Sequence, residues 1–235
     1  MALKGLFQKH SNQSRQRRQL ITHNQPKSPI AEQYRNIRTN IEFAAIDKQI
    51  RSLMVTSANP SEGKTTTTGN MAVVFAQQGK KVLLVDADLR KPALHHMFQI
   101  DNIFGLTNVL TRSETFEKCV QQTNIENLHF LGCGPIPPNP AELLGSKAMT
   151  QFLQQVYEKY DLVILDLPPI LPVSDAQIMA NQCDASVLVV RSESTEKETA
   201  VKAKSLLESA NGKLLGVVLN DLEREKNLYY YYGTN

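Results

Sequence analysis

Ala58-Asn59-Pro60-Ser61-Glu62-Gly63-Lys64-Thr65-Thr66 has the spacing A-x-x-x-x-G-K-T-T, a phosphate-binding loop with Ala in place of the usual first Gly. The apolar run 52–56 before it predicts a buried strand, and residues 65–78 after it predict a helix that stops at Gly79. Backbone N–H groups in such a loop point at phosphate oxygens, and the positive end of the helix adds to the attraction. The stretch therefore predicts a nucleotide site.

Each residue type in the loop has a physical reason to be there. Gly63 lets the backbone approach a phosphate without a Cβ in the way. The Lys64 ammonium can reach the β- and γ-phosphates, and the Thr65 hydroxyl can ligate Mg²⁺. We expect nucleotide contacts along the loop from Ser61, Glu62, Gly63, Lys64, Thr65 and Thr66.

Two further apolar runs end in carboxylates. Residues 81–85 lead into Asp86 and Asp88, which strand alternation places on the same side. Residues 162–165 lead into Asp166, the arrangement of a Walker-B strand. The carboxyl ends of strands form the ligand-binding edge of an open α/β sheet. Neighbouring carboxylates repel, and a bound Mg²⁺ would relieve that repulsion.

The order of these patterns predicts the fold class α/β, a P-loop NTPase with a mostly parallel sheet and helices on both faces. Further strands are predicted at 128–131, 185–191 and 214–219, and helices at 141–160 and 198–208. The last strand ends at Asn220, whose amide could read a purine edge or simply form a turn.

Composition narrows the class of protein. The 235 residues suit one sizeable domain, and 41% hydrophobic with 21% charged residues is ordinary for a globular protein. A net charge of +3 is too small to indicate a nucleic-acid binder. No apolar run approaches the ~20 residues of a membrane span. The three cysteines fit neither a metal pattern nor a disulfide framework.

We divide the chain into three parts. Residues 1–28 are basic without acidic residues and predict a disordered tail, either solvated or weakly attracted to an anionic membrane face. Residues 29–221 form the P-loop domain, and 222–235 form a tail. That tail holds four of the seven tyrosines, Tyr229, Tyr230, Tyr231 and Tyr232.

The first helix of the domain is predicted at 29–46. Tyr34, Ile37 and Ile41 line its apolar face, to which Phe43 could also belong. Charged residues recur every third position on another side, so they form either a solvated face or a surface that docks on a neighbouring subunit. These residues are Glu32, Arg35 and Arg38.

With these motifs the chain resembles the bacterial P-loop tyrosine kinases of capsule and exopolysaccharide systems, in the split form whose membrane adaptor is a separate protein. The likeness is carried by the P-loop, the acidic motif 82–92, the run G-P-I-P-P-N-P-A-E-L-L at 134–144, the Walker-B run 162–169 and the tyrosine-rich terminus. Glu32, Arg35 and Arg38 match the family's E-x-x-R-x-x-R oligomerisation motif. Leu167 departs from the pattern, since Thr is more usual there.

The resemblance implies transfer of the ATP γ-phosphoryl group to tyrosine hydroxyls. Lys64, Asp86, Asp88 and Asp166 would be catalytic, with Mg²⁺ held by Thr65, Asp88 and Asp166. Asp86 is our choice of general base, although Asp86 and Asp88 could exchange roles. Asn220 would contact adenine. The absence of an N-K-x-D motif favours ATP over GTP.

The resemblance also implies partners and a location. It implies a ring-like homo-oligomer that is activated by the cytoplasmic tail of the adaptor and phosphorylates other proteins. We also predict that Tyr229 to Tyr232 are phosphorylated by a neighbouring subunit, and that the added negative charge weakens the assembly. We therefore expect a cytoplasmic protein held at the inner face of the membrane through that adaptor.

The runner-up interpretation is a positioning or partitioning ATPase that switches a dimer. Such proteins carry a second Lys at the second position of the P-loop, where this chain has Asn59, and they lack a tyrosine-rich tail. A nucleotide-binding scaffold without catalysis is disfavoured because all three expected carboxylates are present.

Overall fold

The computed structural model describes residues 20–44, 49–210 and 212–222. Within these ranges one seven-stranded sheet has the order β3-β4-β2-β5-β1-β6-β7, and only β3 runs antiparallel to its neighbour. The strands are β1 (Ser52–Ser57), β2 (Val82–Asp86), β3 (Gln121–Gln122), β4 (Leu128–Leu131), β5 (Leu162–Asp166), β6 (Ala185–Arg191) and β7 (Leu214–Asn220).

Helices lie between the strands and before them. They are α1 (Ile21–Asn24), α2 (Pro29–Phe43), α3 (Lys64–Gln77), α4 (Leu94–Phe98), α5 (Leu106–Leu110), α6 (Phe116–Cys119), α7 (Pro140–Leu144), α8 (Lys147–Val156), α9 (Asp175–Ala180) and α10 (Lys197–Ser209). In the described ranges none of them has the length and apolar character that crossing a bilayer requires.

The central strands β1, β2 and β5 are buried along their whole length, as expected for parallel strands covered on both faces. One face packs against α8 to α10 through residues such as Val85 and Leu165. The other packs against α1 to α3 through residues such as Leu53 and Val55. The predicted fold class is therefore confirmed.

Strand register fixes where the acidic residues lie. Asp86 of β2 is paired with Asp166 of β5, and Asp166 is in turn paired with Val55 of β1. The P-loop follows β1 directly, so the three strands deliver the loop and both carboxylates to one edge of the sheet. This is the edge at which ligands of open α/β sheets bind.

Two boundaries differ from the predictions. The helix predicted over 141–160 is divided into α7 and α8, because the Ser146 hydroxyl accepts a hydrogen bond from the Met149 amide at 3.3 Å and starts a new helix. The prediction of a disordered tail over 1–28 is wrong for residues 20–28, which contain α1. There Leu20 is buried, and the Thr22 hydroxyl donates to Asn70 Oδ1 at 2.8 Å. Residues 1–19 lie outside the described residues.

The apolar face predicted for the first helix is largely confirmed. Tyr34 and Ile41 are buried in the core and Ile37 packs against it, but Phe43 is 67% exposed. Phe43 does not belong to that face because it is the second residue after Ile41, which places it on roughly the opposite side of a helix with 3.6 residues per turn. The Ser28 side chain caps the start of α2 by accepting from the Ala31 amide.

Candidate active site

The P-loop turns sharply before α3, and glycine is required at the turn. Gly63 has φ +91°, a left-handed conformation that L-residues with a Cβ rarely adopt. A Cβ at this position would also lie 2.0 Å from Nδ2 of Asn220. The loop backbone therefore depends on Gly63 both for its conformation and for its contact with the end of β7.

Side-chain hydrogen bonds stabilise the conformation of the P-loop. The Asn220 amide donates to the Glu62 carbonyl at 3.0 Å. The Glu62 carboxylate accepts from the Asn59 amide at 3.0 Å and from the Thr195 hydroxyl at 2.6 Å. Glu62 therefore turns its side chain into the loop. Asn220, predicted to contact adenine, is placed against the loop backbone, and its contact with adenine stays a prediction.

Lys64, which follows β1, bridges two acidic residues, one just after β2 and one at the end of β5. Its Nζ lies 2.9 Å from Asp88 Oδ2 and 3.2 Å from Asp166 Oδ2. The Thr65 hydroxyl donates to Asp166 Oδ2 at 2.7 Å, and the Thr68 hydroxyl donates to Asp166 Oδ1 at 3.1 Å. The structure thus brings Lys64, Thr65, Asp88 and Asp166 into one cluster, as the sequence predicted.

Asp86 lies beside this cluster but outside its hydrogen-bond network. Its Oδ2 accepts from the backbone amides of Ala93 and Leu94, both at 3.0 Å. Its Oδ1 is buried without a hydrogen-bond partner in the described part of the chain. Burial, followed by the charge of Asp166, raises the pKa of Asp86 to about 7. Two hydrogen bonds therefore fix Oδ2 of Asp86, whereas Oδ1 accepts none from the described residues.

The charges of the site are strongly coupled. Burial raises the pKa of Asp166 against the opposing effect of Lys64. Burial alone would lower the pKa of Lys64, but the negative charges of Asp166 and Asp88 outweigh it and raise that pKa. Three carboxyl groups and one ammonium therefore share a buried region, an arrangement that favours additional positive charge.

The donor set fits Mg²⁺. The Thr65 hydroxyl and the carboxylates of Asp88 and Asp166 are hard oxygen ligands, and the Lys64 ammonium already lies between the two carboxylates as a cation would. Among the described residues no three His, Cys, Asp or Glu side chains form a metal cage. Mg²⁺ in nucleotide sites uses one or two carboxylates and completes its shell with phosphate and water. The residues are thus suited to a metal shared with a nucleotide.

Two residues that contribute to the site, Thr68 and Arg90, were not predicted from the sequence. Thr68 follows Lys64 by four residues on α3, so helical spacing could have placed it on the same side. The segment after Asp88 is held by Arg90, whose guanidinium makes paired contacts of 2.9 and 2.8 Å with the buried carboxylate of Asp175. No local sequence pattern predicts the contact between Arg90 and Asp175, because the two residues are 85 positions apart.

The predicted oligomerisation residues make contacts within their own chain. Glu32 and Arg35 form an ion pair at 2.7 Å, and Arg35 also donates to the Pro26 carbonyl. Arg38 donates at 3.1 Å to the Val74 carbonyl in the last turn of α3, where carbonyls lack helical partners. Arg38 is therefore also a helix cap. The four tail tyrosines lie outside the described residues.

Comparisons with known proteins agree with this geometry. Residues 51–201 match the family model described as AAA domain. The chain is 55% identical over 222 residues to the tyrosine-protein kinase YwqD of Bacillus subtilis, with 94% of each protein covered.

Solved structures give the same result. The chimerical protein CapA2B2 has a TM-score of 0.85 at 44% identity, with 87% of this chain and 90% of that one covered. The kinase domain of the Escherichia coli tyrosine kinase ETK also has a TM-score of 0.85, at 33% identity, with 92% and 84% covered. The chain belongs to the family of bacterial tyrosine-protein kinases.

Proposed function

We propose that this protein is an ATP-dependent protein-tyrosine kinase that phosphorylates Tyr229 to Tyr232 of a neighbouring copy, as well as other proteins, in exopolysaccharide or capsule production. The observation that carries the proposal is the buried cluster at the P-loop. There Lys64 contacts Asp88 and Asp166, while Asp86 keeps one oxygen disengaged. The similarity to named tyrosine-protein kinases supports the same conclusion.

The site residues divide the work of phosphoryl transfer. The loop backbone orients the ATP phosphates, and Lys64 stabilises the negative charge that the transferred group carries. When bound by Thr65, Asp88 and Asp166, Mg²⁺ would neutralise charge on the β- and γ-phosphates. Thr68 holds the second oxygen of Asp166 and so fixes the carboxylate that the metal requires.

Asp86 is the proposed general base. A tyrosine hydroxyl has an ordinary pKa of about 10 and therefore arrives protonated. The two backbone amides that bond Oδ2 of Asp86 fix the carboxyl group, and its free Oδ1 can accept the phenolic proton. Asp88 is less suited to this role because its Oδ2 contacts Lys64 and its Oδ1 accepts from the Lys91 amide.

A switch ATPase is the alternative function. Its second P-loop lysine would stand at Asn59, whose backbone amide instead donates to Glu62 and helps to brace the loop. Labelled ATP and Mg²⁺ separate the two functions. Phosphotyrosine supports the kinase, whereas release of free phosphate without labelled protein would support the switch.

The direction of transfer has its own test. Full-length Lys64→Ala protein serves as acceptor, and the enzyme is a full-length protein in which Tyr229, Tyr230, Tyr231 and Tyr232 are all replaced by Phe. Because neither protein can label itself, label on the acceptor requires transfer between copies. If the acceptor stays unlabelled while the wild type labels itself, the proposed transfer between copies is wrong.

We also propose a ring-like homo-oligomer in which the Glu32 and Arg35 side chains contact a neighbour. The double change Glu32→Arg with Arg35→Glu keeps an ion pair within α2 but reverses the charges offered to a partner. We expect weaker self-association in analytical ultracentrifugation and a melting temperature close to that of the wild type. Arg38 is left unchanged as the cap of α3. An unchanged sedimentation profile would exclude this surface from the assembly.

The last part of the proposed function is an interaction with a membrane adaptor protein. We expect its cytoplasmic tail to activate the kinase and to hold it at the inner face of the membrane. Adding synthetic tails of candidate adaptors to the labelling reaction tests activation directly. The control is the same set of tails with scrambled sequence, which should leave the labelling rate unchanged.

A further inference from the structure

Beside the acidic residues, two loops on the far side of β2 are joined into one rigid unit. The Leu106 and Thr107 amides donate to the carbonyls of Gly132 and Cys133 at 2.7 and 2.9 Å. Asn102 bonds Gly134 from the other direction, accepting from its amide at 2.9 Å. A Cβ at Gly105 would lie 2.1 Å from the Gly132 carbonyl oxygen, so the backbones are in close contact.

This unit carries an exposed apolar surface. Nine large apolar side chains are exposed among the described residues, and three of them lie on these two loops. We define the platform as Ile103, Phe104 and Ile136, which are 66%, 39% and 61% exposed. Lys118 stands 5.2 Å from the centre of the Phe104 ring and holds one side of it. Because hydrogen bonds join the two loops that carry these side chains, we treat the three residues as one candidate interaction surface.

One of the two loops that carry the platform begins beside the proposed base. Val85 of β2 is paired with Leu131 of β4, so Asp86 and Gly132 leave the sheet side by side. The negative charges of Asp86 and Asp88 are felt at Cys133, where they add to burial in raising the pKa of the thiol. The two loops therefore neighbour the acidic residues on the β4 side of the site.

The strand order gives the direction from which an acceptor must come. The P-loop follows β1, and Lys64 reaches from it towards Asp166 on β5 and Asp88 after β2. The γ-phosphate of a bound ATP would therefore lie on the β2 side of the loop, because Lys64 contacts the β- and γ-phosphates in such sites. Since the attacking and leaving oxygens must be in line, the acceptor approaches from beyond β2, where the platform lies.

The chain's own tail begins at the opposite end. Residue 223 follows shortly after β7, and five strand spacings, about 24 Å, separate β7 from β4. The segment 228–232, Leu-Tyr-Tyr-Tyr-Tyr, is uncharged and rich in aromatic rings, which pack well against a phenylalanine and aliphatic side chains. A second copy can present this segment to the platform without crossing the nucleotide site.

We infer that Ile103, Phe104 and Ile136 form the docking platform for the tyrosine segment 228–232 of a second copy, and that they hold it for transfer. The inference rests on the proposed kinase function. The platform residues are positioning residues, because they contact the acceptor chain and not the reacting atoms. They should therefore affect the KM for the acceptor and leave kcat and ATP binding nearly unchanged.

The test uses the two full-length proteins described above, the enzyme with four Tyr→Phe changes and the Lys64→Ala acceptor. In the enzyme, Ile103→Ser, Phe104→Ser and Ile136→Ser are combined. We expect the KM for the acceptor to rise roughly tenfold or more, because several apolar contacts are lost together. Affinity for ATP should not change. Two single variants are compared with this triple variant. Phe104→Ser should raise the KM for the acceptor, whereas Phe104→Leu, which stays apolar, should leave this KM close to that of the unmodified enzyme.

A matched control carries Val201→Ser and Val217→Ser, which are 54% and 53% exposed and lie on α10 and β7. An unchanged KM in the platform variant, or an equal rise in the control, overturns the inference while the kinase function stands. If the unmodified enzyme hydrolyses ATP but never labels the acceptor, the proposed function fails and the inference falls with it.

Discussion

Lys64→Ala is expected to reduce tyrosine phosphorylation by at least roughly 10²–10³-fold, the usual effect of removing one preorganised charge-stabilising group. In the structure its Nζ is the positive group between Asp88 and Asp166. Removing it takes away the charge that would stabilise the transferred phosphoryl group and leaves two carboxylates facing each other. The rate of label incorporation from ATP and Mg²⁺ measures the loss.

The matched control is Lys64→Arg, which keeps the charge but replaces a compact ammonium by a planar guanidinium. We expect it to remain strongly impaired while melting close to the wild type. Circular dichroism confirms that each variant is folded. Wild-type activity in a folded Lys64→Ala protein would remove the basis for assigning Lys64 to the phosphates.

Asp86→Asn is expected to lower the rate by about 10²–10⁴-fold, the usual contribution of a general base, with ATP affinity largely kept. Burial raises the pKa of Asp86 to about 7, so the wild-type rate should rise as the pH passes upward through this value and Asp86 loses its proton. The Asn variant should lose that rise. Asp88→Asn is the comparison, because it should weaken binding of Mg²⁺ and ATP as well as the rate.

The same ionisation affects stability with a definite sign. The pKa of Asp86 is higher in the folded chain than in the unfolded chain, so the folded state binds more protons between these two values. The contribution of Asp86 to stability is therefore complete only below its ordinary pKa of 3.8 and is lost as the pH rises from there through about 7. Denaturant unfolding should show this loss in the wild type and not in Asp86→Asn. A full-sized loss in the variant would assign the pH dependence to another group.

Much of the fold and the acidic site could be predicted because the signals are local. An apolar run that ends in a carboxylate identifies both a buried strand and the residue at its carboxyl end, which is how Asp86 and Asp166 were found. Parallel strands then bring such ends to one edge without further information. The P-loop spacing likewise specifies Gly63, Lys64 and Thr65 within one short stretch.

The remaining contacts could not be predicted because they join distant residues. Asn220 and Glu62 are 158 positions apart, and the hydrogen bond between them appears only once β7 is placed beside β6. Arg38 looked like a surface charge, but it caps α3 because that helix ends against α2. The ordered residues 20–28 were missed because the polar composition of this segment outweighed Leu20 and Thr22, which the core buries.

The position of β4 and β7 at opposite ends of the parallel part of the sheet gives each chain a polarity. In the proposed docking one end offers the acceptor segment and the other receives it. Such a contact between neighbours is heterologous, and repeated contacts of this kind either close into a ring or continue as a filament. In a closed ring every molecule acts on one neighbour and is acted on by the other. One inactive molecule would then spare the tail of a single neighbour and leave its own tail fully modified.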